Sequence, residues 1–210
     1  MINIMNPKDV EKRSFEIIDE VLGDRKFKPQ NEVVIKRVIH TTADFDYADN
    51  LVFSAHAVEQ GMEALREGCH IVTDTHLVKE SINKRALAAL GGDVHCFISD
   101  KDVVAEAKER GVTRAIVAME RAIDLYNRGI PIMFAIGNAP TALMRIRVLF
   151  DEGRLYPKLV VGVPVGFVNV AESKELIISS AMPHIVARGM KGGSNVAASI
   201  CNAMLYQIMR

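Results

Sequence analysis

Eight residues from Arg37 to Asp44, reading Arg-Val-Ile-His-Thr-Thr-Ala-Asp, put a guanidinium, an imidazole (His40), two hydroxyls (Thr41 and Thr42) and a carboxylate into one short window. Histidine is the residue type that changes charge near neutral pH without help, so one aimed into a cleft beside a cation suits the delivery or removal of a proton. The window overlaps the apolar residues Val33, Val34, Ile35, Val38 and Ile39. Read as a helix, this run pairs Val34 with Val38 and Ile35 with Ile39 against a core, and leaves Arg37 and His40, three apart, on another face. A lone histidine there would read as a cap or core residue at a helix C-terminus. The clustering of functional groups around it favours chemistry.

Two further segments can meet an anion. Gly137-Asn138-Ala139-Pro140-Thr141 has a backbone reason to exist, with a glycine for a tight exit, Asn138 as an N-cap and Pro140 in the first helical turn, and its amides can also hold a carboxylate. Arg188-Gly-Met-Lys-Gly-Gly-Ser194 places two cations and three glycines before a helix, which reads as an anion loop. It lacks the spacing of a nucleotide phosphate loop, and no GxGxxG occurs, so ATP and dinucleotides have little support. Lys174 reads as a surface charge. Cys69-His70 and His95-Cys96 look like a metal quartet, but they begin two expected strands, where alternation sends the Cys and His of each pair to opposite faces. Without CxxC or HxxxH spacing, no metal site is expected. Three cysteines, an odd number, argue against a disulfide framework.

The elements that must position these groups follow from periodicity. Three helices come first: one carrying Val10, Phe15, Ile17, Ile18, Val21 and Leu22, capped by Asn6 or Asp9; the helix bearing His40; and one from about Asn50 to Glu67. Apolar strands at 70–73, 94–98, 132–136, 159–163 and 185–187 then alternate with helices, the last from Asn195. The pattern predicts a single domain over residues 1–210, a three-layer, doubly wound α/β fold with a five-stranded parallel sheet, flavodoxin-like, with extra N-terminal helices. Ligands of such folds sit at the carboxyl ends of the strands. An order of 2-1-3-4-5 brings Thr73-Asp74-Thr75 and the segment from Gly137 to the two sides of one crevice. Cys69 would lie at the far edge, roughly 16 Å away.

Composition narrows the partners. Of 210 residues, 49% are hydrophobic and 25% charged, which is globular rather than disordered. The 26 basic residues balance the 26 acidic ones without a basic run, so neither nucleic acid nor a membrane surface is expected as a partner, and an anionic ligand must be met by local cations. No run reaches membrane-span length, and Met1 to Asp9 lacks the layout of a signal peptide, so a cytoplasmic location is expected.

Four motifs in order over nearly the whole chain, Arg37 to Asp44, Gly137-Asn-Ala-Pro-Thr-Ala-Leu, Pro164-Val-Gly-Phe-Val-Asn-Val-Ala-Glu-Ser-Lys174 and Arg188 to Ser194, resemble the precorrin isomerases (precorrin-8X or cobalt-precorrin-8 methylmutases) of corrin biosynthesis. The resemblance implies a flavodoxin-like fold, a homodimer, no organic cofactor, and migration of a methyl group from C11 to C12 of the macrocycle to give hydrogenobyrinate or cobyrinate. It matches His40 to the acid/base and Ser14 and Arg37 to substrate-binding positions. Arg114 stands where the family usually reads Thr-Arg-Ser, and Ala115 departs from that pattern. Thr41, Asn138, Arg188 and Ser194, in the matching motifs, complete the expected binding set.

Such a methyl shift needs no water, redox partner or nucleophile. One acid that protonates the macrocycle eases it by typically 10²–10⁴-fold, about 3–5 kcal/mol. Guanidinium groups suit the ring's carboxylates, and Met and aliphatic side chains its faces. Two alternatives differ in what they require. A flavodoxin-like binding module needs the crevice but not His40, and an acid/base enzyme for a smaller anion needs His40 but little apolar room. The terminal helix, with Val196, Ala197, Ile200, Cys201, Met204, Leu205, Ile208 and Met209, has an apolar surface for a core or a partner subunit.

Overall fold

Short apolar runs become parallel strands when helices cover both of their faces, and that is how this chain is arranged. The computed structural model describes residues 6–209. Met1–Met5, part of the segment read for a signal peptide, lie outside them. In chain order the elements are α1 (Pro7–Leu22), α2 (Pro29–Thr42), α3 (Tyr47–Asn50), β1 (Leu51–Phe53), α4 (Ala57–Arg66), β2 (His70–Thr73), α5 (His76–Ser81), α6 (Lys84–Ala89) and β3 (Val94–His95). There follow α7 (Lys101–Arg110), α8 (Arg114–Glu120), α9 (Ala122–Asn127), β4 (Ile132–Ile136), α10 (Pro140–Asp151), β5 (Leu159–Gly162), α11 (Val170–Ile178), β6 (His184–Ala187) and α12 (Ser194–Ile208).

The sheet order is β1-β6-β5-β4-β2-β3. Its five parallel strands take the expected 2-1-3-4-5 arrangement. A sixth, β1, is added antiparallel on β6, with Leu51 opposite Ala187 and Phe53 opposite Ile185. The helix expected from Asn50 to Glu67 is therefore interrupted. Pairing with β6 draws 51–53 into the sheet, the Ser54 hydroxyl accepts the His184 amide at 2.9 Å, and α4 starts only after His56 in a left-handed conformation. The helix expected after β2 also breaks in two, because Asn83 accepts the Ala86 amide at 3.0 Å and so caps α6.

Alternation in the strands divides the core. Ile71, Met133, Ala135, Leu159, Val161 and Ile185 face a cluster shared with α1, α2, α4, α5, α6 and α12. Val72, Ile132, Phe134, Ile136, Val160 and Val186 face the cluster under α7 to α11. The apolar surface of α12 is used inside the chain: Val196, Ile200, Met204 and Leu205 are buried, and the helix packs on α2, α5 and α4. It is no longer a reason to expect a partner subunit. No helix among the described residues is long and apolar enough to cross a membrane.

Candidate active site

Helix α2 carries the central histidine in its last turn. Pro29 opens it, Val34, Ile35, Val38 and Ile39 are buried, and Ala43, left-handed, closes it with its amide on the Ile39 carbonyl at 2.7 Å. The Thr41 hydroxyl donates to the Arg37 carbonyl at 2.9 Å. His40 is exposed and lies flat on Phe15 of α1, ring centroids 5.1 Å apart and planes within 2°. The Arg37 guanidinium stands 4.9 Å from the centre of the same Phe15 ring and 5.4 Å from that of Tyr206. Its Nη1 donates to Glu11 at 2.9 Å. Ser14, beside Phe15 in sequence, donates to the Val10 carbonyl at 2.8 Å. The crossing of α1 on α2 thus brings Arg37 and His40 onto Phe15, the residue after Ser14. Phe15, the platform for both, was legible only as a core residue, through its spacing with Ile18 and Leu22.

Beyond α2, the loop between β6 and α12 closes on its end. Lys191 Nζ donates to Asp44 and Asp46 at 2.6 Å each. Lys191 holds the Asp44 carboxyl below its usual range, and the pair raises the lysine. Gly192 is required here because a Cβ would collide with the carbonyl oxygens of Val163 and Pro164. Arg188 pairs with Glu175 at 2.8 Å, so only one of the two expected cations, Lys191, points toward the His40 helix, and it too is already met by carboxylates. An anion loop in the simple sense does not form.

Lys174, expected on the surface, is fully buried. It donates to the carbonyls of Gly189 and Lys191, both at 2.7 Å. The long apolar stem explains its tolerance of the interior, and burial pushes the amine down to about 8 from its ordinary 10.5. Between those values the unfolded chain holds a proton that the folded chain has released, so stability rises with pH across that window; below pH 8 both forms are protonated and the burial cost is complete. Relative to Lys174→Met, the wild-type protein should gain up to about 3 kcal/mol between pH 8 and pH 10.5. Urea unfolding of both proteins across the window measures this, and a difference that stays flat with pH would contradict it.

On the other side of the crevice, Asp74 is buried at the end of β2 and accepts the amides of Gly137 (2.9 Å), Asn138 (2.8 Å) and Ala139 (2.6 Å). Burial pushes its pKa up, and the three amides oppose that. The amides expected to be open to an anionic ligand therefore hold an internal one. The N-cap of α10 is Ala139, not Asn138, whose side chain stays exposed at the carboxyl edge of the sheet. Gly137 packs directly on the Ser194 backbone, and the Ser194 hydroxyl lies 3.1 Å from that of Thr75. Arg114 opens α8 beside Thr113, whose hydroxyl meets Thr141 at 2.8 Å. It is exposed and has no side-chain bond among the described residues.

A groove of about 220 Å³ runs along α12, lined by Arg37, Thr41, Ser81, Asn195, Asn202 and Tyr206. A second hollow of about 450 Å³ shares Arg37 and Tyr206 with it. A larger hollow, about 580 Å³, lies at the opposite, amino edge of the sheet around Tyr126, Tyr156 and Lys158. At that edge His70 Nδ1 and His95 Nε2 are 2.9 Å apart. Cys69 and Cys201 are buried, with thiols pushed up to about 12, so neither is a ready ligand or nucleophile. Among the described residues no three His, Cys, Asp or Glu side chains converge as metal ligands.

Fold and site together define a doubly wound α/β protein with an exposed histidine and a guanidinium on α2, whose last turn is tied by Lys191 to a loop at the carboxyl edge of the sheet. The precorrin-8X methylmutase family model (CbiC) matches residues 9–207, and the chain belongs to that family, the methylmutases (isomerases) of cobalamin biosynthesis. It is 48% identical to the cobalt-precorrin-8 methylmutase of Salmonella typhimurium over 98% of this chain and 97% of that one. It is 39% identical to the precorrin-8X methylmutase of Pseudomonas aeruginosa, covering 82% of each chain. The crystal structure of precorrin-8X methylmutase from Thermus thermophilus superposes with a TM-score of 0.86 at 34% identity, over 96% of both chains.

Proposed function

We propose that this chain, acting as one domain, moves the methyl group at C11 of a precorrin-8 macrocycle to C12, with His40 as the acid/base and with no organic cofactor. The observation that carries this reading is the placement of His40: an exposed imidazole held flat by Phe15, next to Arg37, whose Nη2 and Nε have no partner among the described residues. Protonation of the ring by His40 makes C12 electron-poor, so the methyl group leaves C11 with its bonding pair to form the C12 bond, and loss of a proton from the ring to His40 restores the acid. Arg114, exposed and without a side-chain bond among the described residues, and Arg37 and Arg188, each paired with one glutamate (Glu11 and Glu175), are the cations for peripheral carboxylates, with Ser14, Thr41, Asn138 and Ser194 as hydroxyl and amide groups. Exposed Met190, on the loop that Lys191 ties to Asp44, offers an apolar contact for a ring face.

The purified protein, mixed with cobalt-containing or metal-free precorrin-8, should shift the visible spectrum of the macrocycle as its conjugation rearranges. No spectral change with either form would refute the reading. Binding should weaken with salt although the net charge is zero. Arg37→Ala should lose affinity by about tenfold or more, a charge-assisted contact's worth, and cost less in fold stability. Salt-independent binding, with Arg37→Ala equal to wild type, would remove that role.

The reading includes a homodimer. Val10, Ile17 and Val21 form an exposed apolar stripe on α1, beside the face that packs on α2. Light scattering should give twice the 23.2 kDa chain mass, and a monomer at micromolar concentration would count against it. It also includes a cytoplasmic location, supported by three buried free thiols, which suit a reducing compartment and which cell fractionation can check.

A further inference from the structure

Among the described residues Lys174 is the only lysine or arginine that is fully buried. It has no carboxylate partner. Its two bonds go to the carbonyls of Gly189 and Lys191, two residues apart on the loop between β6 and α12, so what it holds is backbone. The same Lys191 sends its side chain to Asp44 and Asp46. Those carboxylates belong to the turn that ends α2: the Asp46 amide donates to Asp44 at 3.0 Å, the Asp44 amide to the Thr42 hydroxyl at 3.2 Å, and Thr42 to the Val38 carbonyl at 2.9 Å. An unbroken series of polar contacts therefore joins the buried amine under one loop to the last turn of the helix that carries His40. The loop's ends are fixed by other means, with the Arg188 amide on the Asn50 carbonyl and the Gly193 amide on the Val163 carbonyl, both at 2.8 Å. Between them the Gly166 amide reaches the Met190 carbonyl at 3.2 Å, and Lys174 grips the residues on either side of Met190.

We propose that Lys174 is a positioning residue for the methyl transfer: by fixing the carbonyls of Gly189 and Lys191, it seats Lys191 on Asp44 and Asp46 and so sets the end of α2 from which His40 reaches the substrate. This rests on His40 being the acid/base. The bulk of α2 is secured by its own buried residues, so losing the grip shifts the last turn without unfolding the helix. Misplacement by a fraction of an ångström at a proton-transfer site costs rate more than affinity.

The test compares Lys174→Met, Lys191→Met and the double variant, each assayed for turnover and KM, with trypsin cleavage after Arg188 as a direct readout of the loop. Each single variant should lose about tenfold in kcat with KM within about twofold. The double variant should fall no further than either single one, because both break the same series. Cleavage after Arg188 should be several-fold faster in Lys174→Met than in wild type. A loosened loop with unchanged kcat, or single losses that multiply in the double variant, would overturn the proposal. Lys191→Met changes an exposed side chain and folds even where Lys174→Met does not; normal kcat in that variant overturns the proposal by itself. His40→Asn in parallel separates the two ideas. If it retains wild-type turnover, the acid assignment fails and this proposal with it, whereas a collapsed His40→Asn beside a fully active Lys174→Met removes the positioning role alone.

Discussion

Replacing His40 by asparagine should lower turnover by about 10²-fold or more while the macrocycle still binds, the range expected when a general acid is removed. Asparagine keeps hydrogen-bonding capacity and much of the shape, and it is tolerated near helix C-termini, so α2 should persist. His40 is exposed, and what it loses on the protein side is the flat contact with Phe15. The fold should therefore be almost indifferent, and the rate should not be. Conversion is followed by the visible spectrum of the macrocycle, and binding by its quenched or shifted absorbance at equilibrium. A folded variant converting substrate within a few-fold of the wild-type rate would pass the role to His76, which opens α5 at the same edge of the sheet and bonds to Ser99 at 3.0 Å.

Asp74→Ala should act in the opposite way, on the fold. Three backbone amides, one of them fully buried, lose their acceptor together. An orphaned buried amide costs about 1–3 kcal/mol, and the other two are partly reachable by water, so the total should be roughly 3 kcal/mol or more. For a chain of this size that lowers Tm by about 10 °C. Asp74→Asn should fall between, since one oxygen remains but the new amine points its hydrogens at an amide donor. Calorimetry decides. A Tm for Asp74→Ala within about 2 °C of wild type would mean that water replaces the carboxylate at little cost.

Both residues bear on what could be read from the chain. The parallel strands were legible because each is an apolar run between turn residues, whereas right-handed crossovers were compatible with a flavodoxin-like order without fixing it. Strand β1 was not, since three residues paired with Ile185 to Ala187 carry no periodicity of their own. The cluster from Arg37 to Asp44 was visible as a concentration of functional groups, but the groups that complete it, Phe15 and Lys191, arrive from other elements. Asp74 and Lys174 illustrate a deeper limit. Charged residues belong by type on the surface, and the partners that allow these two inside are amides and carbonyls of distant loops, which leave no side-chain signature.

The carboxylate of Asp74 also bears on how the protein behaves in a crowded metabolite pool. In this architecture the amides after a central strand are a general receptor for phosphate groups, and every cell contains millimolar concentrations of competitors for such a receptor. Here the position is occupied by a group tethered to the neighbouring strand, present at an effective concentration that no dissolved anion approaches. Those three amides are consequently closed to nucleotides and inorganic phosphate, and a ligand at this side of the switch point must engage the exposed side chains around it.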